Sequence, residues 1–111
     1  ETIIVNDLKP KRDYLYIKDL TELLNIIINK NHINGIFNVG SGQSSSVEEV
    51  ISIIGRALNK NLNIFSENIT RKNEVTDCVS NIKKLKKEFS WFPKYSLKDG
   101  IRDYLNEVKN V

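Results

Sequence analysis

Two guanidinium groups and one carboxylate are the residues in this chain best suited to chemistry. Arg12 stands in KRDY, and Arg71 opens RKNE, which places Glu74 three residues further on. A guanidinium is planar, permanently charged and able to donate two hydrogen bonds at once, which suits a phosphate or diphosphate. A carboxylate can accept from both hydroxyls of a vicinal diol. The three-residue spacing from Arg71 to Glu74 lets one loop meet phosphate and sugar together. On the residues alone there is also a plainer reading. Arg12 beside Asp13 is then a surface ion pair worth about 0 to 1 kcal/mol, and Arg71 and Glu74 are ordinary loop charges.

Other residues invite chemistry less well. The glycine cluster GSGQSS, starting at Gly40, could cradle a phosphate on free amides before a helix. It lacks the third glycine and the acidic residue of a dinucleotide fingerprint, so it reads first as a tight connector. Tyr14 and Lys18 have the spacing of a Tyr-Lys catalytic pair but lie in a strand-like run, where they share no helix turn. Lys83, Lys84, Lys86 and Lys87 form a cationic run. Without interleaved aromatics it reads as a solvated face, and nucleic-acid binding is disfavoured. Cys78 has no basic neighbour in sequence to activate it and reads as a small buried or half-buried residue. His32 reads as exposed, and Trp91, between Phe89 and Phe92, as a core anchor. Asp13 and Asp19 read as structural, one holding a loop and one capping a helix.

Length and composition set the frame. A chain of 111 residues, 40% hydrophobic and 28% charged, is one small globular unit or part of a larger one. A net charge of +3 is mildly basic and by itself selects no partner. One cysteine permits no intrachain disulfide and suits a reducing compartment, so a cytoplasmic location is expected. There is no Cys/His metal spacing and no apolar run near the roughly 20 residues of a membrane span. The chain opens on Glu1 rather than Met and runs at once into TIIV, a start that suits a cut or processed product.

These side chains must be positioned by alternating strands and helices. Thr2–Val5, Tyr14–Ile17, Ile36–Val39 and Leu62–Phe65 read as strands. Asp19 with Glu22 reads as a capping box opening a helix whose apolar stripe is Leu20, Leu23, Leu24, Ile27 and Ile28. Ser46 with Glu49 is a second capping box, for a helix with Val47, Val50, Ile51, Ile54 and Leu58 inward. Two more helices follow, near Ser80–Phe89 and after Ser96. The pattern predicts an α/β architecture with a sheet too thin to stand without neighbours.

Three segments, KRDYLYIKDL (11–20), FNVGSGQSSSVEEVI (37–51) and RKNEV (71–75) with SNIKKLKKEFSWFPKYSLKDGI (80–101), resemble in order and spacing the carboxyl-terminal part of the extended short-chain dehydrogenase/reductase family, the NAD-dependent epimerases and dehydratases of nucleotide sugars. The resemblance covers nearly the whole chain. It departs from the family's habit at VNDL, where a Gly-Asp-Gly-like turn is usual, and at RKNE, which keeps the cation and the acid at their spacing. It implies an α/β fold for residues 1–111 as a small substrate-binding part without the dinucleotide-binding half. It also implies nucleotide-sugar binding, with Arg12 and Arg71 on the diphosphate, Glu74 on the ribose and Ile4 flanking the base.

NAD(P) is implied for the full-length protein and none is expected on this chain. The family's Gly-rich fingerprint and Tyr-x-x-x-Lys pair are not here, so no catalytic residue is assigned and the chain alone is expected to be inactive. The alternative is an independent small-molecule binding or interaction module without catalysis. Loss of the Rossmann half would strip cover from Leu23, Ile27 and Ile36–Val39, so self-association through those faces or an open sheet edge is expected as well.

Overall fold

The computed structural model describes residues 2–109. Two small sheets and four helices make an α/β plate of 51 × 41 × 17 Å. Its thickness is less than two helix diameters of about 10–12 Å each, so the core is necessarily shallow. Strand β1 (Thr2–Val5) pairs in parallel with β4 (Asn63–Ser66). Strand β2 (Lys11–Asp13) is the centre of the second sheet, antiparallel to β3 (Ser44–Ser46) and parallel to β5 (Asp77–Cys78). The helices are α1 (Ile17–Asn29), α2 (Val47–Ala57), α3 (Lys83–Phe89) and α4 (Leu97–Lys109).

The second capping box forms as the sequence predicts. Ser46 Oγ accepts from Glu49 N at 3.1 Å, and Glu49 Oε2 accepts from Ser46 N at 2.8 Å. Ser46 thus ends β3 and opens α2 with no residue between. Ser96 caps α4 through its Oγ, which accepts from Asp99 N at 3.1 Å.

Several expected elements shift. Tyr14–Ile17 is not a strand; the ladder uses Lys11–Asp13, and Tyr16 O already accepts from Asp19 N and Leu20 N to open α1. Asp19 is therefore inside the helix, and Tyr16 holds the N-cap position without a side-chain bond. The Asp19 carboxylate is 1% exposed and accepts from Lys94 N at 3.0 Å and Tyr95 N at 3.1 Å. It fastens the link before α4 onto α1, a long-range task that a capping pattern cannot show. Ile36–Val39 also forms no strand: Ile36 is 90% exposed. The strand beside β2 falls instead on three serines, because register with Lys11–Asp13 outweighs their weak β-preference. Cys78, expected to be at least half-buried, is exposed on β5.

Leu23, Ile82, Leu85, Phe89 and Trp91 form the main core, with Leu15, Ile26, Ile27, Ile33 and Phe37 packed against it. Phe37 meets Phe89 edge-on, with ring centroids 5.1 Å apart. After α3, Ser90 takes a left-handed conformation (φ 50°) at the helix end, and Trp91 follows it into the buried cluster. Leu23 is buried and Ile27 half-buried, so the exposed apolar residues of α1 are Ile17, Leu24 and Ile28 instead, while Ile36 and Val39 are exposed as expected. His32 is exposed, as expected. Among the four lysines of the cationic run, Lys84 has a structural task. Its Nζ donates to Ile36 O at 3.1 Å and stands 4.5 Å from the centre of the Phe37 ring.

Candidate functional site

Strand β2 carries Arg12 between two neighbours, paired with Ser45 on one side and Cys78 on the other. Its guanidinium is held from below: Nη1 donates to Lys11 O at 2.8 Å and to Val75 O at 2.7 Å, and Nη2 donates to Glu74 Oε1. The loop 71–74 turns back on itself, with Glu74 N donating to Arg71 O at 3.1 Å. Asn73 supplies the left-handed residue of that turn (φ 59°), a conformation asparagine tolerates better than most residues. The turn brings Arg71 over the same carboxylate, where Nε donates to Oε2 at 2.6 Å and Nη2 to Oε1 at 3.2 Å. Two arginines from segments 59 positions apart (71 − 12) thus meet on one acid.

Exposure divides their roles. The Glu74 side chain is 7% exposed and that of Arg71 is 71% exposed, with Arg12 between them. The hydrogen bond from Arg71, assisted by that from Arg12, outweighs burial and holds the Glu74 carboxyl below its ordinary value. Glu74 is therefore an anion at neutral pH. The same hydrogen bond raises the pKa of Arg71. All three residues line a cleft of about 360 Å³ whose other walls include Val5, Pro10, Tyr14, Val47 and Ile69. That volume is within the range of small-molecule sites, about 300–1,000 Å³.

Backbone bonds hold these walls. Ile69 N donates to Asn6 O at 2.8 Å, while Val47 N and Glu48 N donate to Pro10 O and Leu8 O, each at 3.2 Å. Ile4 is 65% exposed on β1, one residue before Val5, and stands next to the cleft rather than in its lining. Ile69 is a cleft residue that the sequence did not point to, and Tyr14, weighed there only as half of a Tyr-Lys pair, lines the cleft from just beyond the end of β2.

The plainer pairing of Arg12 with Asp13 does not occur. Asp13 faces the glycine loop, where its carboxylate accepts from Ser41 N at 2.7 Å, Ser41 Oγ at 2.6 Å, Gly42 N at 3.0 Å and Ser80 N at 3.1 Å. Burial raises its pKa, but these bonds together win, and the carboxyl lies below its ordinary value. The loop's amides thus already have an internal anion, and a Cβ at Gly40 would lie 2.5 Å from Ser80 Oγ and 2.6 Å from Asp13 Oδ2. This loop gives no cradle for the pyrophosphate of NAD(P).

No Tyr-Lys catalytic pair is assembled in the neighbouring segment either. Tyr14 precedes α1 and Lys18 lies within it. Lys18 Nζ is bound to Asp103 Oδ2 at 2.6 Å and Glu107 Oε1 at 2.5 Å. The adjacent Tyr16 hydroxyl donates to the same Asp103 at 2.6 Å, which pushes its pKa up to about 12. These groups tie α1 to α4. Among the described residues no cluster of His, Cys, Asp and Glu could hold a metal, and no helix is long and apolar enough to cross a membrane.

Comparison with known proteins finds relatives along nearly the whole chain. The chain is 30% identical over 106 residues to dTDP-4-dehydro-6-deoxyglucose reductase of Escherichia coli, covering 96% of this chain and 33% of that protein. It is 28% identical over 104 residues to UDP-glucose 4-epimerase of Pisum sativum, covering 89% of this chain and 29% of that protein. Among solved structures, UDP-glucose 4-epimerase from Bifidobacterium longum in complex with NAD+ and UDP superposes with a TM-score of 0.82 at 24% identity, over 99% of this chain and 36% of that one. RMD from Pseudomonas aeruginosa complexed with NADPH gives 0.85 at 20% identity, over 98% and 36%.

The chain thus spans about a third of the length of the curated relatives it matches, and it corresponds to the carboxyl-terminal part of epimerase and dehydratase structures. Residues 1–104 match the sequence model of the family described as GDP-mannose 4,6 dehydratase. The chain therefore belongs to that family, among the NAD-dependent epimerases and dehydratases.

Proposed function

We propose that this chain, residues 1–111 as one unit, is the nucleotide-sugar-binding portion of an NAD(P)-dependent sugar epimerase or dehydratase and has no catalytic activity alone. Arg12 and Arg71 would take the diphosphate, Glu74 the ribose diol, and Ile4 a face of the base. The observation that carries the reading is the meeting of two distant arginines on one buried carboxylate at the wall of a cleft. A carboxylate has about four acceptor positions, and three are taken by guanidinium donors. Arg71 is exposed, so it can turn outward to a diphosphate. Glu74 then regains acceptors for the diol, while Arg12 stays fixed by two backbone carbonyls. Recognition of phosphate and sugar is coupled through this one side chain. The exposed thiol of Cys78 suits a reducing, cytoplasmic location.

Calorimetric titration of the chain with UDP, GDP, dTDP and CDP, and with the parent nucleosides, tests this reading. The diphosphates should bind and the nucleosides should not. Arg71→Gln should weaken diphosphate binding about tenfold or more, the usual worth of a charge-assisted hydrogen bond. Equal affinity in the variant, or no binding of any diphosphate, would contradict it.

The exposed face of Ile17, Leu24, Ile28 and Ile36 should also make the chain associate with itself. Light scattering across a concentration series should show a rising mass that Leu24→Glu with Ile28→Lys abolishes. A constant monomer mass at high concentration would refute this.

A further inference from the structure

The chain has four arginines, and the site described above uses two of them. The other two, Arg56 and Arg102, meet Lys98 around a separate groove between α2 and α4. Its volume is about 230 Å³, and Ile53 and Ala57 form its apolar floor. Among the described residues no carboxylate lies within 4.0 Å of these three cations, and the ion pairs there belong to Arg12, Lys18, Arg71 and Lys94. Asp99 adjoins Lys98 in sequence yet pairs with neither Lys98 nor Arg102.

Local electrostatics argue against this grouping. Lys98 occupies the first turn of α4, the positive end of the helix dipole, where a cation is disfavoured. Lys98 and Arg102, four residues apart, are like charges on one face, which costs a few tenths of a kcal/mol. Arg56 is meanwhile held in place, its Nη2 donating to Ser52 Oγ at 3.1 Å and its Nε directed at Ser52 O at 3.4 Å. Three cations kept together against repulsion, one pre-positioned over an apolar floor, form a site that a bound anion would relieve.

We propose that the α2–α4 groove is a second anion site, taking a small multivalent anion of the pyrophosphate class on Arg56, Lys98 and Arg102. The groove is smaller than the roughly 300 Å³ at which pockets for drug-sized ligands begin, which favours linked phosphates over a whole nucleotide. The site is independent of the nucleotide-sugar cleft and shares no residue with it.

The test is an amide NMR titration of the whole chain with sodium pyrophosphate at about 0.15 M salt, where long-range screening is already strong. Amides of Ala57, Lys98 and Arg102 should shift and saturate, and should do so equally in Arg71→Gln. In Arg56→Gln and in Arg102→Gln the groove affinity should fall about tenfold, with unchanged melting temperatures showing that each variant is folded. Three results would each overturn the proposal: groove amides that do not move, a dissociation constant unaltered by both groove variants, or shifts that sodium chloride reproduces at equal ionic strength.

Discussion

Asp13→Ala will be among the most destabilising substitutions in this chain, costing about 3 kcal/mol, because it leaves several backbone donors without an acceptor at about 1–3 kcal/mol each before partial rescue by water. The donors are Ser41 N, Gly42 N and Ser80 N, and they come from two separate segments gathered on one carboxylate. Urea unfolding followed by circular dichroism reads the loss directly. Asp13→Asn, which keeps one acceptor oxygen, should fall between wild type and alanine.

The pH dependence has a definite sign. The folded carboxyl lies below its ordinary value of 3.8, so its contribution is complete above that value and fades as pH falls through the folded one. Asp13→Ala should therefore flatten the stability profile below about pH 4 and leave its shape at neutral pH unchanged. A full acid limb in the alanine variant would mean that other carboxylates carry it.

Trp91→Ala should cost about 3–5 kcal/mol, the range for removing a large aromatic side chain from a core. Trp91 belongs to the five-residue buried cluster with Leu23, Ile82, Leu85 and Phe89, and the plate has little depth to close over a void. Total stability for a domain is about 5–15 kcal/mol, so the variant should be marginal at room temperature. Trp91→Phe should cost much less than alanine. It keeps most of the ring volume and removes an indole N–H that is buried without a partner among the described residues. Circular dichroism is the readout, since either substitution removes the only tryptophan. A phenylalanine variant as unstable as alanine would show that the indole shape, not its bulk, is what the core requires.

What the sequence made legible was local. Ser46 and Glu49, three apart ahead of an apolar run, announce α2, and the box is there with both bonds. Thr2–Val5 is a strand because β-branched side chains suit it. Long-range register was not legible. Three serines become β3 only because Lys11–Asp13 lies opposite them, and Asp19 leaves the capping role because the backbone of Lys94 and Tyr95, 75 and 76 residues away, meets its carboxylate. The same limit applies to the candidate site. Arg71 and Glu74 can be matched by spacing, since they share a turn. That Glu74 also holds Arg12, 62 residues away, and that Asp13 turns from its neighbour to the glycine loop, follow only from the pairing of β2 with β5 and β3.

The claim on which the functional account rests is that Arg12 and Arg71 act on one ligand together. Side-chain Nε–Hε resonances of the arginines, followed by NMR as UDP is added, measure this directly. Arg12 and Arg71 should shift along one saturation curve with the amide of Glu74, while Arg56 and Arg102 follow a separate, weaker one. Movement of only one of the first pair, or saturation of the two at different UDP concentrations, would show that no common diphosphate lies between them.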